Sequence, residues 1–203
     1  EADAPINRNF SAAIGGPLSL GSLPLGYNFG VIYGDEWERF DRTQTELLGQ
    51  DLNTVNQETK TTVSEREIRL GGVGTFSADV GTNKFRLVPG ILRKTTDTDD
   101  RTDKVNYSAG NGDAPKKLFR LQWQERELIV RQLFGEHVFD DEGRIALSWR
   151  FASNNTKRDI PDERSYGYAL ETIDGIPQYA HSPTDNDSRL SRKYYANSEE
   201  MKE

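Results

Sequence analysis

Two histidines, His137 and His181, are the side chains of this sequence best suited to acid–base chemistry near neutral pH. His137 follows "LFGE" inside a segment of alternating polarity, a pattern typical of a structural position in a sheet. The chain has no cysteine, which excludes a cysteine nucleophile and thiolate zinc sites. It also lacks a G-x-S-x-G elbow and an H-E-x-x-H helix. We therefore expect no enzyme activity and assign no catalytic residue.

Acidic side chains are concentrated in "TDTDDRTD" (96–103) and recur in "PTDNDS" (183–188). Carboxylate oxygens in such loops can bind Ca²⁺, but neither segment has EF-hand spacing. We expect solvated loops, and we assign no metal site and no cofactor. The segment "GGVG" (71–74) lies within an alternating pattern with no helix after it, which favours a crowded sheet over a phosphate-binding loop.

Aromatic side chains in a long polar segment provide the candidate ligand contacts. Tyr166, Tyr168 and Tyr179 could stack on a sugar or a metal chelate, or they could pack against one another. These three residues are the only candidate site residues that the sequence provides.

The composition excludes several classes of protein. Hydrophobic residues make up 34%, mean hydropathy is −0.78 and the formal net charge is −7. No run approaches the ~18 apolar residues of a transmembrane helix, and the negative charge argues against a nucleic-acid partner. Because the chain begins "EADAPINRNF" and its one methionine is Met201, we expect it to be part of a longer protein.

The dominant pattern is a period of two, which predicts β-strands. In "LGYNFGVIYG" (25–34) the odd positions are large and apolar, whereas the even positions are small or polar apart from one isoleucine. The same alternation recurs along the chain. It is found in segments 67–80, 84–92, 118–124, 127–139 and 144–153.

The apolar positions change parity between residues 118–124 and 128–138, and no turn signal separates the two segments. One continuous strand would need a one-residue bulge near "QERE" (124–127) to keep its apolar residues on one face. A loop at that place is the alternative.

Short and long connections alternate. Tight turns are predicted at "GTN" (81–83) and "DDEG" (140–143), and long polar loops at 41–63, 94–117 and 153–187. Compact domains mostly use short loops throughout, whereas outer-membrane barrels have short periplasmic turns and long outer loops. The apolar stripe of residues 25–33 is also close to the ~9–11 residues that span a bilayer as a tilted strand.

Three segments resemble the barrel of TonB-dependent outer-membrane receptors. They are "LGYNFGVIY" (25–33), "WQERELIVRQLFGEHVF" (123–139) and "GRIALSWRFASNNTKRDIPDERSY" (143–166), and "SRLSRKYYANSEE" (188–200) is similar to the start of a following strand. The resemblance implies an all-β, antiparallel, up-and-down transmembrane barrel. This chain would supply about six or seven strands of a barrel with 22, in residues 17–203, with residues 1–16 as a lead-in or the end of a plug domain.

The resemblance also implies a function in the outer membrane of a Gram-negative bacterium. The barrel would take up a scarce nutrient such as a ferric siderophore, cobalamin or an oligosaccharide. Its partners would be outer-membrane lipid, TonB through a plug region missing from this sequence, and a small-molecule or oligosaccharide ligand. Whether a surface lipoprotein is a further partner is left open by the sequence. The alternative from the residues alone is a soluble or secreted β-rich module that binds carbohydrate.

Overall fold

The computed structural model describes residues 5–47, 54–107, 114–140, 144–181 and 191–202, and it contains eight strands. The strands follow one another along the chain without an intervening helix in the described residues. They are β1 (Arg8–Leu20), β2 (Leu23–Leu47), β3 (Val55–Val80), β4 (Asn83–Asn106), β5 (Lys116–Val138), β6 (Ala146–Ile173), β7 (Ile176–Ala180) and β8 (Ser191–Lys202).

All neighbouring strands pair antiparallel in one up-and-down sheet with the order β1-β2-β3-β4-β5-β6-β7. Strand β8 also pairs with β6, and since β5 occupies the other edge of β6, β7 and β8 share a single seventh position. Ala180 of β7 lies opposite Ala169, and Ser191 of β8 lies opposite Ser165. The predicted all-β, antiparallel class is therefore confirmed.

Tight turns lie at one end of the sheet, where the backbone conformation explains the glycines. Gly21 and Gly81 have φ of 63° and 60° at the first position of two-residue turns, a place where a Cβ is disfavoured. The predicted turn at 81–83 is confirmed in its position. Most of the turn predicted at 140–143 lies outside the described residues, although Phe139 N–H donates to the Ile145 carbonyl at 2.9 Å beside it.

The predicted long loops are wrong over most of their length, because the strands continue through them. Strand β2 runs to Leu47, β3 begins at Val55, β4 runs to Asn106 and β6 runs to Ile173. A further hairpin follows at Asp174–Gly175, where φ is 52° and 78°. Positive φ at both positions fits the Asp-Gly turn of a tight hairpin.

The predicted bulge in β5 is also wrong. Strand β5 pairs with β4 without irregularity, and the extra residue belongs to β6, where Trp123 faces Asp162 but Glu125 faces Asp159. Pro161 lies inside this irregularity, a position that suits a residue without an N–H. The parity change has another cause, since Leu128 and Val130 point to the face opposite to that of Trp123.

The boundary drawn at residue 16 does not separate structural units. Strand β1 runs through it from Arg8 to Leu20 and pairs with β2 over its whole length. Residues 8–16 are therefore part of the sheet rather than a lead-in to it.

The described residues form a single layer with almost no core. The buried apolar side chains among them are Val63, Ala152, Ile160 and Ala169. A sheet needs a second layer to cover an apolar face, and the described part of the chain provides none.

Candidate functional site: the two faces of the sheet

The strand register assigns each side chain to one of two faces, since residues directly opposite each other share a face. The apolar face carries the odd-numbered residues of β2 from Leu25 to Tyr33, and we call the other the opposite face. One cross-strand row of the apolar face is hydrophobic on every strand from β2 to β6. It consists of Tyr27, Phe76, Leu87, Leu133 and Phe151.

Large hydrophobic side chains on the apolar face are exposed. Val31, Leu70 and Ile91 are 48%, 57% and 49% exposed, and Phe29 packs edge-on against Phe76 with ring centroids 5.0 Å apart. A contiguous apolar surface of this kind marks contact with another protein or with a membrane.

The border of this apolar region crosses the sheet diagonally. On β2 the last apolar residue before the first charge is Tyr33, whereas on β6 the region ends at Phe151, which is level with Tyr27. The row that begins with Tyr33 is already charged on the later strands. Its members are Tyr33, Leu70, Arg93, Glu127 and Lys157.

The slope of the border can be estimated from these positions. The border shifts by six residues, from 33 to 27, over the four steps from β2 to β6, which is about 20 Å along the strands against about 19 Å across them. The resulting angle of about 45° is close to the ~35–45° tilt of strands in transmembrane barrels. Arg131 lies on the charged side of this border, and Ile129 is an apolar exception beyond it.

An aromatic cluster lies on the apolar face near the turns. Trp149 Nε1 donates to His137 Nε2 at 2.8 Å, and His137 Nδ1 lies 2.8 Å from Asn83 Oδ1. Since Nε2 accepts this hydrogen bond, Nδ1 is the nitrogen that donates to Asn83 Oδ1. Phe85 contacts the same imidazole edge-on at 5.4 Å. These contacts favour the structural role expected for His137 rather than a catalytic one.

Gly135 makes room for this cluster, because the Trp149 ring occupies the space that a Cβ at position 135 would need. Sequence analysis did not assign Asn83, Gly135 and Trp149 to one cluster. They come from three strands, and only the register brings them together.

Tyr166 and Tyr168 lie together on the apolar face, far from the turns. Phe119 stacks on Tyr166 at 5.1 Å and contacts Tyr168 edge-on at 6.2 Å. Tyr179 is separate from them, and the Lys117 ammonium lies over its ring, 4.9 Å from the ring centroid. Mutual packing therefore accounts for two of the three candidate tyrosines, while Tyr168 and Tyr179 remain 38% and 43% exposed.

The other candidate motifs do not form sites. Asp97, Asp99 and Asp103 lie on one face of β4 and Asp100 on the other, and no group of acidic or histidine side chains in the described residues could hold a metal ion. The segment 183–188 lies outside the described residues. Gly71 is crowded by Ile32 and Leu92, each 3.0 Å from its ideal Cβ, as expected for a sheet position.

Charged and polar side chains bridge the strands on the opposite face. Asn9 Nδ2 donates to Glu36 Oε1 at 3.1 Å, Glu36 pairs with Arg69, and Arg69 Nε lies 2.7 Å from Glu67. Lys94 pairs with Glu67 from the next strand. This network connects four strands and lies just beyond the level of Ile32 and Gly71.

Two carboxyls farther along the opposite face have pKa values shifted from the usual range. Burial raises the pKa of Asp100, and the Arg120 guanidinium opposes this effect. Burial also favours the neutral form of Glu163, but hydrogen bonds from Arg120 and Gln122, at 3.1 and 2.7 Å, leave its pKa below its usual value. Glu163 is therefore a charged acceptor, which fits a structural bridge between β5 and β6.

In the described residues, no helix is long and apolar enough to span a membrane. No protein-family model matches the chain. No curated protein matches it either.

Proposed function

We propose that this chain forms part of the wall of a transmembrane β-barrel in a bacterial outer membrane. The observation that supports it best is the diagonal border of the apolar face, from Tyr33 on β2 to Phe151 on β6. Strands that cross a bilayer at a tilt must shift their apolar segment from one strand to the next.

The aromatic cluster around His137 and Trp149 adds support. It lies at the turn end of the apolar region, where a barrel carries an aromatic girdle at the membrane interface. Short turns at Gly21 and Gly81 on that side fit the periplasmic end. Long polar strand extensions on the other side would project from the outer surface.

The resemblance to TonB-dependent receptors extends this proposal to transport. The complete barrel of 22 strands would take up a scarce nutrient, with TonB supplying energy through a plug region. The alternative is a soluble module that binds carbohydrate. It is favoured by the exposed rings of Tyr168 and Tyr179, but it requires a second protein layer over Val31, Leu70 and Ile91.

Two neighbouring residues of β2 provide the test. Val31 and Ile32 are 48% and 47% exposed and point to opposite faces. Each would be replaced by cysteine in the full-length protein, labelled with a fluorophore and reconstituted in bilayers of lipids with brominated acyl chains, which quench fluorophores in hydrocarbon.

Strong quenching at Val31→Cys with weak quenching at Ile32→Cys is expected if the apolar face contacts lipid. Equal quenching at both positions would contradict the orientation. A full-length protein that fractionates as soluble, with Val31→Cys shielded from a water-soluble maleimide, would instead favour the carbohydrate-binding module.

A further inference from the structure

We propose that the opposite face binds a small organic anion with an apolar body, and that Arg126 and Arg158 hold its anionic group. This site deepens the proposed function, because it assigns a chemical class to a ligand that would bind on the lumen side of the barrel. It rests on that function only for its location in a lumen.

A row of four cations crosses the opposite face. The register places Arg69 opposite Lys94, Lys94 opposite Arg126, and Arg126 opposite Arg158. Directly opposite residues in antiparallel strands lie ~4.5–5.5 Å apart, and like charges at that separation destabilise a sheet. The row therefore favours a compensating negative charge.

Among the residues that the structure describes, ion pairs compensate only one half of this row. Arg69 pairs with Glu36 and Glu67, and Lys94 also pairs with Glu67. Arg126 has no hydrogen bond or ion pair with any residue that the structure describes. The positive charge is thus concentrated at Arg126 and Arg158.

Arg158 is held in place by a neutral group. Its Nε and Nη2 donate to Gln124 Oε1 at 3.0 and 2.7 Å, and Gln124 is only 9% exposed. The amide fixes the guanidinium without neutralising it. A positioned, uncompensated guanidinium beside a second one suits a carboxylate, sulfonate or phosphate group.

An apolar hollow of about 540 Å³ adjoins the cation row. Ile32, Leu92 and Leu128 line the hollow in the cross-strand row next to the cations. Gly30 and Gly90 lie in the following row toward the turns, where the lack of a side chain makes the hollow deeper. Ligand pockets of ~300–1,000 Å³ are mostly apolar with a few polar groups. The anion's apolar body would fill the hollow while its charged group meets Arg126.

Binding would be measured calorimetrically on the full-length protein in nonionic detergent at fixed ionic strength. The probe is naphthalene-1-sulfonate, compared with the neutral 1-(methylsulfonyl)naphthalene and with inorganic phosphate. We expect saturable binding of the sulfonate, weaker binding of the neutral sulfone and of phosphate, and a loss of affinity with added salt.

Arg126→Gln should weaken sulfonate binding about tenfold or more, since it removes a charge-assisted hydrogen bond. Arg131→Gln is the matched control, because it removes an exposed arginine of the same strand from the other face. Gly90→Val should also weaken binding by filling the hollow, with the cations intact. Circular dichroism of each variant checks that the sheet is retained.

Three results would overturn the site: absence of saturable sulfonate binding, equal affinity for the neutral sulfone, or equal effects of Arg126→Gln and Arg131→Gln. The quenching test at Val31 and Ile32 separates this failure from that of the proposed function. Anion binding without lipid contact would support the anion site and contradict the membrane barrel. Lipid contact without anion binding would contradict the anion site alone.

Discussion

The two halves of each long strand, toward the turns and away from them, follow different rules although they share one continuous sheet. In the turn-side half, large apolar residues such as Phe29 alternate with small or polar ones. In the far half, most residues on both faces are polar apart from clusters such as Phe119 with Tyr166, and ion pairs such as Arg93–Glu125, at 2.6 Å, connect the strands. The difference shows that the backbone pairing of a hairpin can extend well beyond the apolar pattern that reveals it.

The largest expected effect tests the apolar half. Phe29→Arg should cost about 2–4 kcal/mol in lipid if position 29 lies near the bilayer midplane, and folding into vesicles measures it. Phe29→Ala separates lost packing on Phe76 from the cost of the charge. Asn28→Arg, on the opposite face, should be tolerated, and equal losses at positions 28 and 29 would refute the assignment of faces.

Gly135→Ala should destabilise the turn-side half by about 1–3 kcal/mol, because a Cβ there displaces Trp149 and its bond to His137. Tryptophan fluorescence during urea unfolding reports both the displacement and the stability. Gly16→Ala is the control, since its Cβ would meet no atom within 4 Å. An unchanged Trp149 signal in Gly135→Ala would disprove the packing.

Gly81→Ala should cost about 1 kcal/mol, since φ is 60° and no side-chain clash contributes. Gly81→Asn should recover part of this loss, as asparagine tolerates a positive φ better than alanine. Equilibrium unfolding of the three proteins gives the order. If alanine and asparagine are equivalent, the cost does not come from the backbone conformation.

The smallest effect tests the far half. A carboxyl whose pKa is raised by folding destabilises the fold above its folded pKa, and the penalty disappears as pH falls toward the unfolded value. Asp100→Asn should therefore stabilise the far half at about pH 7 by a few tenths of a kcal/mol, after allowance for solvent screening. Below about pH 4 wild type and variant should converge.

Hydrogen exchange of amides in β4 and β5 measures this local stability. Asp99→Asn is the control, because Asp99 lies on the other face and accepts from Arg101 at 2.9 Å. A gain from Asp100→Asn that persists unchanged in acid would contradict burial as its cause.

Sequence patterns predicted the strands where one face is apolar, as at residues 25–33. They failed from Val55 to Arg66 because threonine, lysine and glutamate on both faces leave no period to detect. There the pairing relies on cross-strand contacts such as Thr61 with Thr102, whose hydroxyls lie 3.0 Å apart. The Asp174–Gly175 pair was a hairpin signal inside a segment assigned as loop.

The candidate site shows a different limit of sequence reasoning. The parity change in β5 was detected correctly, but its cause lay on other strands, where Ile32 and Leu92 make an apolar hollow with Leu128. Likewise, Arg69, Lys94, Arg126 and Arg158 are far apart in sequence, and only the register aligns them. Strand pairing is non-local information that a period of two does not contain.

The shared seventh strand position has a consequence for engineering. The chain leaves the edge of β6 at Ala180 and returns to the same edge at Ser191, so β7 and β8 are each aligned by their own ladder. A longer connection between Ala180 and Ser191 should therefore leave both registers unchanged. Each doubling of the total length of this connection should cost only about 0.6 kcal/mol, so an epitope tag could be added between the two strands at little cost in stability.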